Sequence, residues 1–175
     1  LAMLVGLTFA WFTDTASTAV NKIQAGTLDV GLEMSNDGGT TWENAEGETL
    51  EFIKAPGQEN EPVLWEPGCT YELPQLRVVN KGNLALKYKL IITGINGDAQ
   101  LNEAIEWTIN DADINLTEQH LLAGVEGTAF TIKGHMKETA GNEYQGLSID
   151  GIAITVVATQ DTVEYDSEDN QYDED

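Results

Sequence analysis

The strongest constraint on the fold is a two-residue period of apolar side chains that recurs along the chain. The clearest segments are TLDVGLEM (27–34) and NLALKYKLIITGI (83–95). The apolar positions are Leu28, Val30, Leu32 and Met34 in the first segment and Leu84, Leu86, Tyr88, Leu90 and Ile92 in the second. Because alternate side chains of a strand point to opposite faces, this pattern predicts half-buried β-strands.

Four further segments have strand composition and are separated by turns. They are residues 49–55, 71–82, 128–136 and 147–160. The last is the longest β-rich run, so we expect it to be a central strand. Pro74 cannot donate to a ladder, which places the start of its strand at an edge or a bulge. The NKGN turn (80–83) predicts a hairpin between the strands that flank it.

One segment, DAQLNEAIEWTI (98–109), favours a helix. Leu101 and Ile105 are four residues apart, and Asp98 stands where an N-cap would. Since EWTI has strand composition, we expect a short helix over 99–105 and then a strand. Together these elements predict an all-β fold, an antiparallel jelly-roll-like β-sandwich of roughly seven to nine strands with one short helix.

The first twelve residues, LAMLVGLTFAWF, carry no charge and are too short to span a bilayer. They fit the apolar region of a signal peptide that has lost its basic start, which predicts a secreted or cell-surface protein. The small residues Thr8 and Ala10 predict cleavage between Ala10 and Trp11, with a second candidate site at Ser17 and Ala19. An uncleaved, buried first strand or helix is the alternative.

This interpretation divides the chain into four parts. They are a signal peptide remnant at 1–10, an N-terminal segment at 11–23, a β-sandwich domain at 24–160 and an acidic tail at 161–175. The second part has no hairpin partner in the sequence and consists mainly of small, β-branched and aromatic residues. Such a segment is suited to adding to the edge of a sheet.

The charge balance limits the partners. Thirty acidic against eight basic residues give a net charge of −22, which argues against nucleic acid and against anionic membrane surfaces. Membrane contact is expected only through an uncleaved leader. No cofactor is expected, and weak, collective binding of Ca²⁺ by tail carboxylates is the open alternative. The tail carboxylates in question are Asp166, Glu168, Asp169, Asp173, Glu174 and Asp175.

Catalytic patterns are scarce. The two histidines, His120 and His135, are not in the HExxH spacing of a common zinc protease. Cys69, the single cysteine, follows a Pro-Gly turn and lies in no nucleophile motif, and the chain has no GxSxG elbow. We therefore expect no enzymatic activity and no metal site, with a metallopeptidase that uses both histidines and nearby carboxylates as the alternative.

The segment SNDGGTTW (35–42) matches the pattern S-x-D-x-G-x-T-W. It resembles the Asp-box of sialidase-like propellers, where the box is a structural turn. Because it occurs once, it does not indicate a propeller. It predicts a rigid hairpin whose Trp42 folds back onto the strands.

Three blocks of the sequence resemble one known family. AWFTDTASTAVNKIQAGTLDV (10–30) is similar to the N-terminal signature of the TasA/camelysin family. LWEPGCTYELPQLRVVNKGNLALKYKL (64–90) resembles its W-x-P-G turn and the strands that follow, and SIDGIAITVVATQ (148–160) is similar to one of its last core strands. The resemblance implies a Gram-positive exported protein, processed by the SipW type of signal peptidase, with a jelly-roll sandwich.

The resemblance also implies a function. Better understood members build extracellular fibres of biofilm matrix, and the N-terminal segment of one subunit becomes a strand in the next. We therefore expect a head-to-tail homopolymer in which the interface is formed by Trp11, Phe12, Ala16, Val20 and Ile23. Other matrix proteins as additional partners remain open. Some relatives are described as metallopeptidases, and a monomeric surface adhesin or calcium-binding module is a further alternative.

Pairing of 11–23 within its own sandwich is the alternative to donation. Phe12, Ala16 and Val20 fall at a spacing of four residues, so they share one face of an extended segment. Full burial of each large apolar side chain contributes about 1.5–3 kcal/mol. The segment therefore carries enough apolar surface for either arrangement.

Overall fold

The computed structural model describes residues 13–17, 28–113 and 118–161, and for 13–17 it describes the backbone. The leader, the Ala10–Trp11 cleavage site and the acidic tail beyond residue 161 lie outside the described residues. Four residues of the predicted interface also lie outside the described residues, namely Trp11, Phe12, Val20 and Ile23.

The described residues are mostly β-structure, as the alternating segments predict. The strands are β1 (Thr13–Ser17), β2 (Val30–Ser35), β3 (Glu43–Asn44), β4 (Leu50–Glu51), β5 (Thr70–Glu72), β6 (Gln75–Asn80), β7 (Leu86–Gly97), β8 (Ile105–Ile109), β9 (Ala112–Asp113), β10 (Glu118–Leu121), β11 (Ile132–Met136) and β12 (Ile149–Gln160). They form three antiparallel sheets. The all-β prediction is therefore confirmed.

The largest sheet has five strands in the order β1-β12-β7-β10, with β4 paired to β12 beside β1. β12 pairs with β7 along its length, from Ile149 opposite Gly97 to Gln160 opposite Leu86. Two register irregularities, after Ile149 and after Ala153, interrupt this ladder. The prediction that 147–160 forms a central strand is confirmed.

The two smaller sheets have the orders β3-β2-β6 and β5-β11-β8-β9. Isolated bridges continue β6 beside the chain that leads into β11, since Leu76 pairs with Phe130 and Val79 with Glu126. β5 and β6 therefore lie one after the other beside β11 and the chain that leads into it, with a break at Pro74. That break is the irregularity that proline predicts.

All three sheets contribute to one hydrophobic core. Its fully buried side chains include Leu32 of β2, Leu76 of β6, Leu86 of β7, Ile132 of β11 and Ile154 of β12. The alternating apolar positions of 27–34 and 83–95 face this core as predicted. Their opposite faces carry the exposed and charged residues, such as Lys89.

The hairpin predicted at NKGN and the side-chain cap predicted at Asp98 are wrong, whereas the short helix is found. NKGN does not close a hairpin, because β6 pairs with β2 while β7 pairs with β12 and β10; the turn connects two different sheets. The helix at Ala99–Ala104 is present but is a 3₁₀ helix. The Asp98 side chain does not cap it and instead accepts a hydrogen bond from the Ser148 amide at 2.9 Å. No helix among the described residues is long and apolar enough to cross a membrane.

Candidate functional site

The outer edge of β12, the edge opposite β7, is the candidate site. Two short strands share this edge. β4 pairs with Gly151 and Ile152, and β1 pairs with the stretch from Thr155 to Thr159. This edge is where the N-terminal segment of the chain meets the core sheet.

β1 pairs with β12 in an unbroken antiparallel register. Thr13 lies opposite Thr159, Ala16 opposite Val156 and Ser17 opposite Thr155. Within the single chain, residues 13–17 pair with the sheet of that same chain, which is the arrangement named above as the alternative to donation. Donation of this strand to a second chain stays a prediction.

Ala16 is the member of the predicted interface that the structure describes, and its register position can be compared with that prediction. Its partner Val156 has no exposed surface and belongs to the hydrophobic core. Cross-strand partners lie on the same face of a sheet. The backbone register thus places position 16 opposite a core residue of β12.

β4 approaches β12 at a glycine. A Cβ built on Gly151 would lie 2.6 Å from the Leu50 carbonyl oxygen, closer than real side chains come. A side chain at this position would therefore push β4 away. Gly151 therefore lets β4 pair at one end of this edge, next to the stretch that β1 occupies.

The far side of the sheet ends at β10, which carries His120. Its Nδ1 lies 2.5 Å from Oδ2 of Asp161, the residue that follows β12. The Asp161 side chain is 3 % exposed, while that of His120 is 55 % exposed. The Asp161 amide also donates to the Ala85 carbonyl. This contact fastens the end of β12 beside β7 and β10, and the sequence offered no spacing signal for it.

The structure does not bring the two histidines into one sheet. His120 lies on β10, whereas His135 lies on β11, where its Nδ1 is 2.9 Å from the Thr70 hydroxyl. Within 28–113 and 118–161 no group of three or more His, Cys, Asp or Glu side chains could hold a metal ion.

The predicted hairpin at 35–42 is confirmed. Asp37 is the centre of the turn, because its carboxylate accepts hydrogen bonds from the Thr41 amide at 2.8 Å, the Thr41 hydroxyl at 2.7 Å and the Ser35 hydroxyl at 2.8 Å. These bonds, led by the Thr41 amide, lower the pKa of Asp37 to about 2. The turn connects β2 to β3, which pair through Met34 and Glu43.

Trp42 folds back onto the strands, also as predicted. The Trp42 indole donates to the Gly39 carbonyl at 3.2 Å, and the Arg77 guanidinium lies 4.4 Å from the centre of its ring. Arg77 also forms ion pairs with Glu33 and Glu126. The sequence predicted the tryptophan contact but gave no signal for Arg77, because its partners are distant in the chain.

The W-x-P-G block contributes to the core rather than to a reactive site. Trp65 packs edge-on against Phe52 and Tyr71, with ring centres 5.5 and 4.9 Å apart. Cys69 is a half-buried free thiol that accepts a hydrogen bond from the Glu66 amide at 3.2 Å. Burial raises the pKa of this thiol, so the reactive thiolate is disfavoured.

The chain matches no family model, no curated protein and no solved structure. The strand arrangement and the sequence resemblance are the observations that bear on function.

Proposed function

We propose that this protein is a secreted structural subunit of extracellular, biofilm-matrix fibres, in which the N-terminal strand of one subunit pairs with the sheet of the next. The sequence resemblance to the TasA/camelysin family supports the fibre function. We further propose that the three antiparallel sheets form a jelly-roll-like sandwich.

The observation that carries the proposal is the position of β1. It is a five-residue strand at the edge of the core sheet, and its partner β12 is also bonded to β7 along its other edge. If β1 leaves, β12 keeps its fold through β7 and exposes an open ladder. A second copy of β1 can then take the same backbone register, which a single chain already forms.

Exchange of β1 gives a directional assembly. The donor strand lies at the N-terminal end of one subunit, and the acceptor edge is a different surface of the next, so the contact is heterologous. Heterologous contacts that do not close form open filaments. Such a polymer is head-to-tail, as the sequence resemblance implies.

Deletion of residues 11–23 from the purified mature protein tests the proposal. We expect the shortened chain to stay monomeric, because the acceptor edge of β12 remains but no chain can donate to it. Negative-stain electron microscopy should then find fibres for the full mature chain and none for the deletion. Unchanged fibres in the deletion variant would contradict strand donation.

A matched control separates loss of donation from loss of folding. Adding a synthetic peptide of residues 11–23 to the deletion variant should cap the β12 edge without restoring fibres, since a free peptide cannot link two subunits. The NMR amide signals of β12 should be the same in the peptide-capped deletion variant and in the full-length protein. If the free peptide restored fibres, residues 11–23 would not need to be part of a subunit to join it to the next, which would contradict strand donation.

A further inference from the structure

A second region of the molecule has the features of a ligand site that the fibre function does not use. A cavity of about 600 Å³ lies between the start of β7, the strand β10 and the chain that leads into β11. Its volume is within the range of small-molecule sites in proteins, about 300–1,000 Å³. Its lining is mixed. The apolar side chains include Leu121, Leu122, Val125 and Phe130, and the polar ones include Asn110, Gln119, His120 and Thr128.

Tyr88 places a hydroxyl group in this cavity. The residue is only 5 % exposed and also lines the cavity. Within residues 28–113 and 118–161 its hydroxyl forms no hydrogen bond. Burial raises the pKa of Tyr88 to about 12, so this group is an O–H donor at all physiological pH values.

Gly127 provides the space in front of that hydroxyl. A Cβ built on Gly127 would lie 3.6 Å from the Tyr88 hydroxyl oxygen and 3.8 Å from a methyl group of Leu121. It would also lie 2.8 Å from the Val78 carbonyl oxygen, so a side chain is excluded here. The absence of a side chain leaves the Tyr88 donor open toward the cavity.

The wall of the cavity is held in place by a buried asparagine. Asn80 is 3 % exposed, and its side-chain amide donates to the carbonyls of Leu84 at 2.7 Å and Leu122 at 3.1 Å. The Asn80 backbone amide donates to the Val125 carbonyl at 3.0 Å. The segment from Leu122 to Val125 is thus fastened to the end of β6, and the cavity is largely preformed.

Charge indicates which ligands are disfavoured. The two carboxylates nearest the rim already have partners, since Glu126 pairs with Arg77 and Asp161 contacts His120, so the repulsion of an anion comes from the net charge. The chain as a whole carries a charge of −22. Anionic ligands are therefore repelled, while an uncharged ligand is not.

We propose that this cavity binds a small, uncharged molecule that has an apolar part and a hydrogen-bond acceptor, with Tyr88 as the donor. The apolar part of the ligand contacts Leu121, Leu122 and Phe130, and its acceptor atom takes the Tyr88 proton. This site is independent of the proposed fibre function, because it lies on the β7–β10 side of the sheet and β1 lies on the opposite edge.

The test is an NMR titration of the full chain with cyclohexanone, an uncharged ring with one acceptor oxygen. We expect saturable shifts of the amide signals of Gln119, Leu121 and Gly127. Tyr88→Phe should weaken the affinity about threefold to tenfold, because it removes one hydrogen bond and keeps the ring. Cyclohexanecarboxylate, the anionic probe of similar size, should bind more weakly than the ketone.

Tyr71→Phe is the matched control, since Tyr71 lines a different cavity and its hydroxyl donates to the Leu64 carbonyl. It should leave the cyclohexanone affinity unchanged. The proposal is overturned if no saturable shifts occur at these three amides, if they occur around Tyr71 instead, or if Tyr88→Phe binds the ketone as tightly as the unaltered chain. Equal affinity for the carboxylate would overturn the ligand class.

Discussion

Two proline substitutions one residue apart test how β1 is held to β12. In an edge strand, successive residues point their amides alternately toward the neighbouring strand and toward solvent. Of Thr15→Pro and Ala16→Pro, one variant therefore loses a ladder hydrogen bond and the other does not. The variant that loses this hydrogen bond should release β1, and the other variant should be tolerated at the edge.

The size of the effect follows from the ladder. Five facing residue pairs join β1 to β12, which corresponds to about four to six hydrogen bonds, or about 2–9 kcal/mol net. Ordering the backbone of five residues costs about 5–10 kcal/mol. The two terms nearly cancel, so the loss of one bond, about 1–3 kcal/mol with the carbonyl left unpaired, is enough to shift β1 to the released state.

Hydrogen exchange of the β12 amides measures this release. Amides of the 155–159 stretch that point toward β1 should lose protection in one proline variant only, whereas amides bonded to β7 should stay protected in both. Equal protection of the β1-facing amides in the two variants would refute the edge geometry. Loss of protection on the β7 side would show that β1 is required for the whole sheet.

Three further predictions concern the hairpin and the charge. Because the pKa of Asp37 is depressed from 3.8 to about 2 in the folded protein, the ionised carboxylate stabilises the fold above pH 4, and this stabilisation is lost as the pH falls toward 2. Asp37→Asn should therefore lower the urea midpoint at pH 7 and lower it much less at pH 2. Arg77→Lys should lower the free energy of unfolding by about 1–2 kcal/mol in chemical denaturation, because a lysine cannot keep both the stacking on Trp42 and the two ion pairs. The control Lys81→Met loses one exposed ion pair at 3.9 Å and should change the free energy of unfolding by less than about 1 kcal/mol. Since subunits of charge −22 repel one another, acid or Ca²⁺ should speed fibre assembly in light-scattering assays, and rates that respond to neither would contradict the role of repulsion.

The sequence predicted the strands well where periodicity and burial agree. The two-residue alternation of 27–34 and 83–95 reports the core face directly, and Leu32 and Leu86 are fully buried in the structure. The Asp-box turn was also predictable, because its hydrogen bonds join residues that are close in the chain. Local chemistry of this kind can be derived from a short stretch of residues.

Pairing between distant strands was not predictable in the same way. The NKGN turn suggested a hairpin, but β6 pairs with β2, and β7 pairs with β12 and β10. A turn sequence fixes the local backbone and does not fix which strands pair beyond it. The same limit applies to Arg77 and to the contact between His120 and Asp161.

The candidate site was predicted in part. The sequence singled out 11–23 as an edge-adding strand, and the structure pairs Thr13–Ser17 with the edge of β12. It did not identify the acceptor, because no pattern links a short N-terminal segment to a strand about 140 residues away. The cavity beside Tyr88 was missed for a similar reason, since its walls come from β7, β10 and the chain before β11.

Disulfide trapping across the β1–β12 register tests strand donation most directly. Thr15 lies opposite Val157, so Thr15→Cys and Val157→Cys are introduced on separate chains in a Cys69→Ala background, mixed, assembled and oxidised. Donation predicts covalent dimers of one chain of each kind on a non-reducing gel. The control mixes Thr15→Cys with Glu118→Cys, which lies on β10 at the other side of the sheet, and it should give no covalent dimers. Fibres that form without mixed dimers, while a single chain carrying both Thr15→Cys and Val157→Cys closes an internal disulfide, would contradict donation.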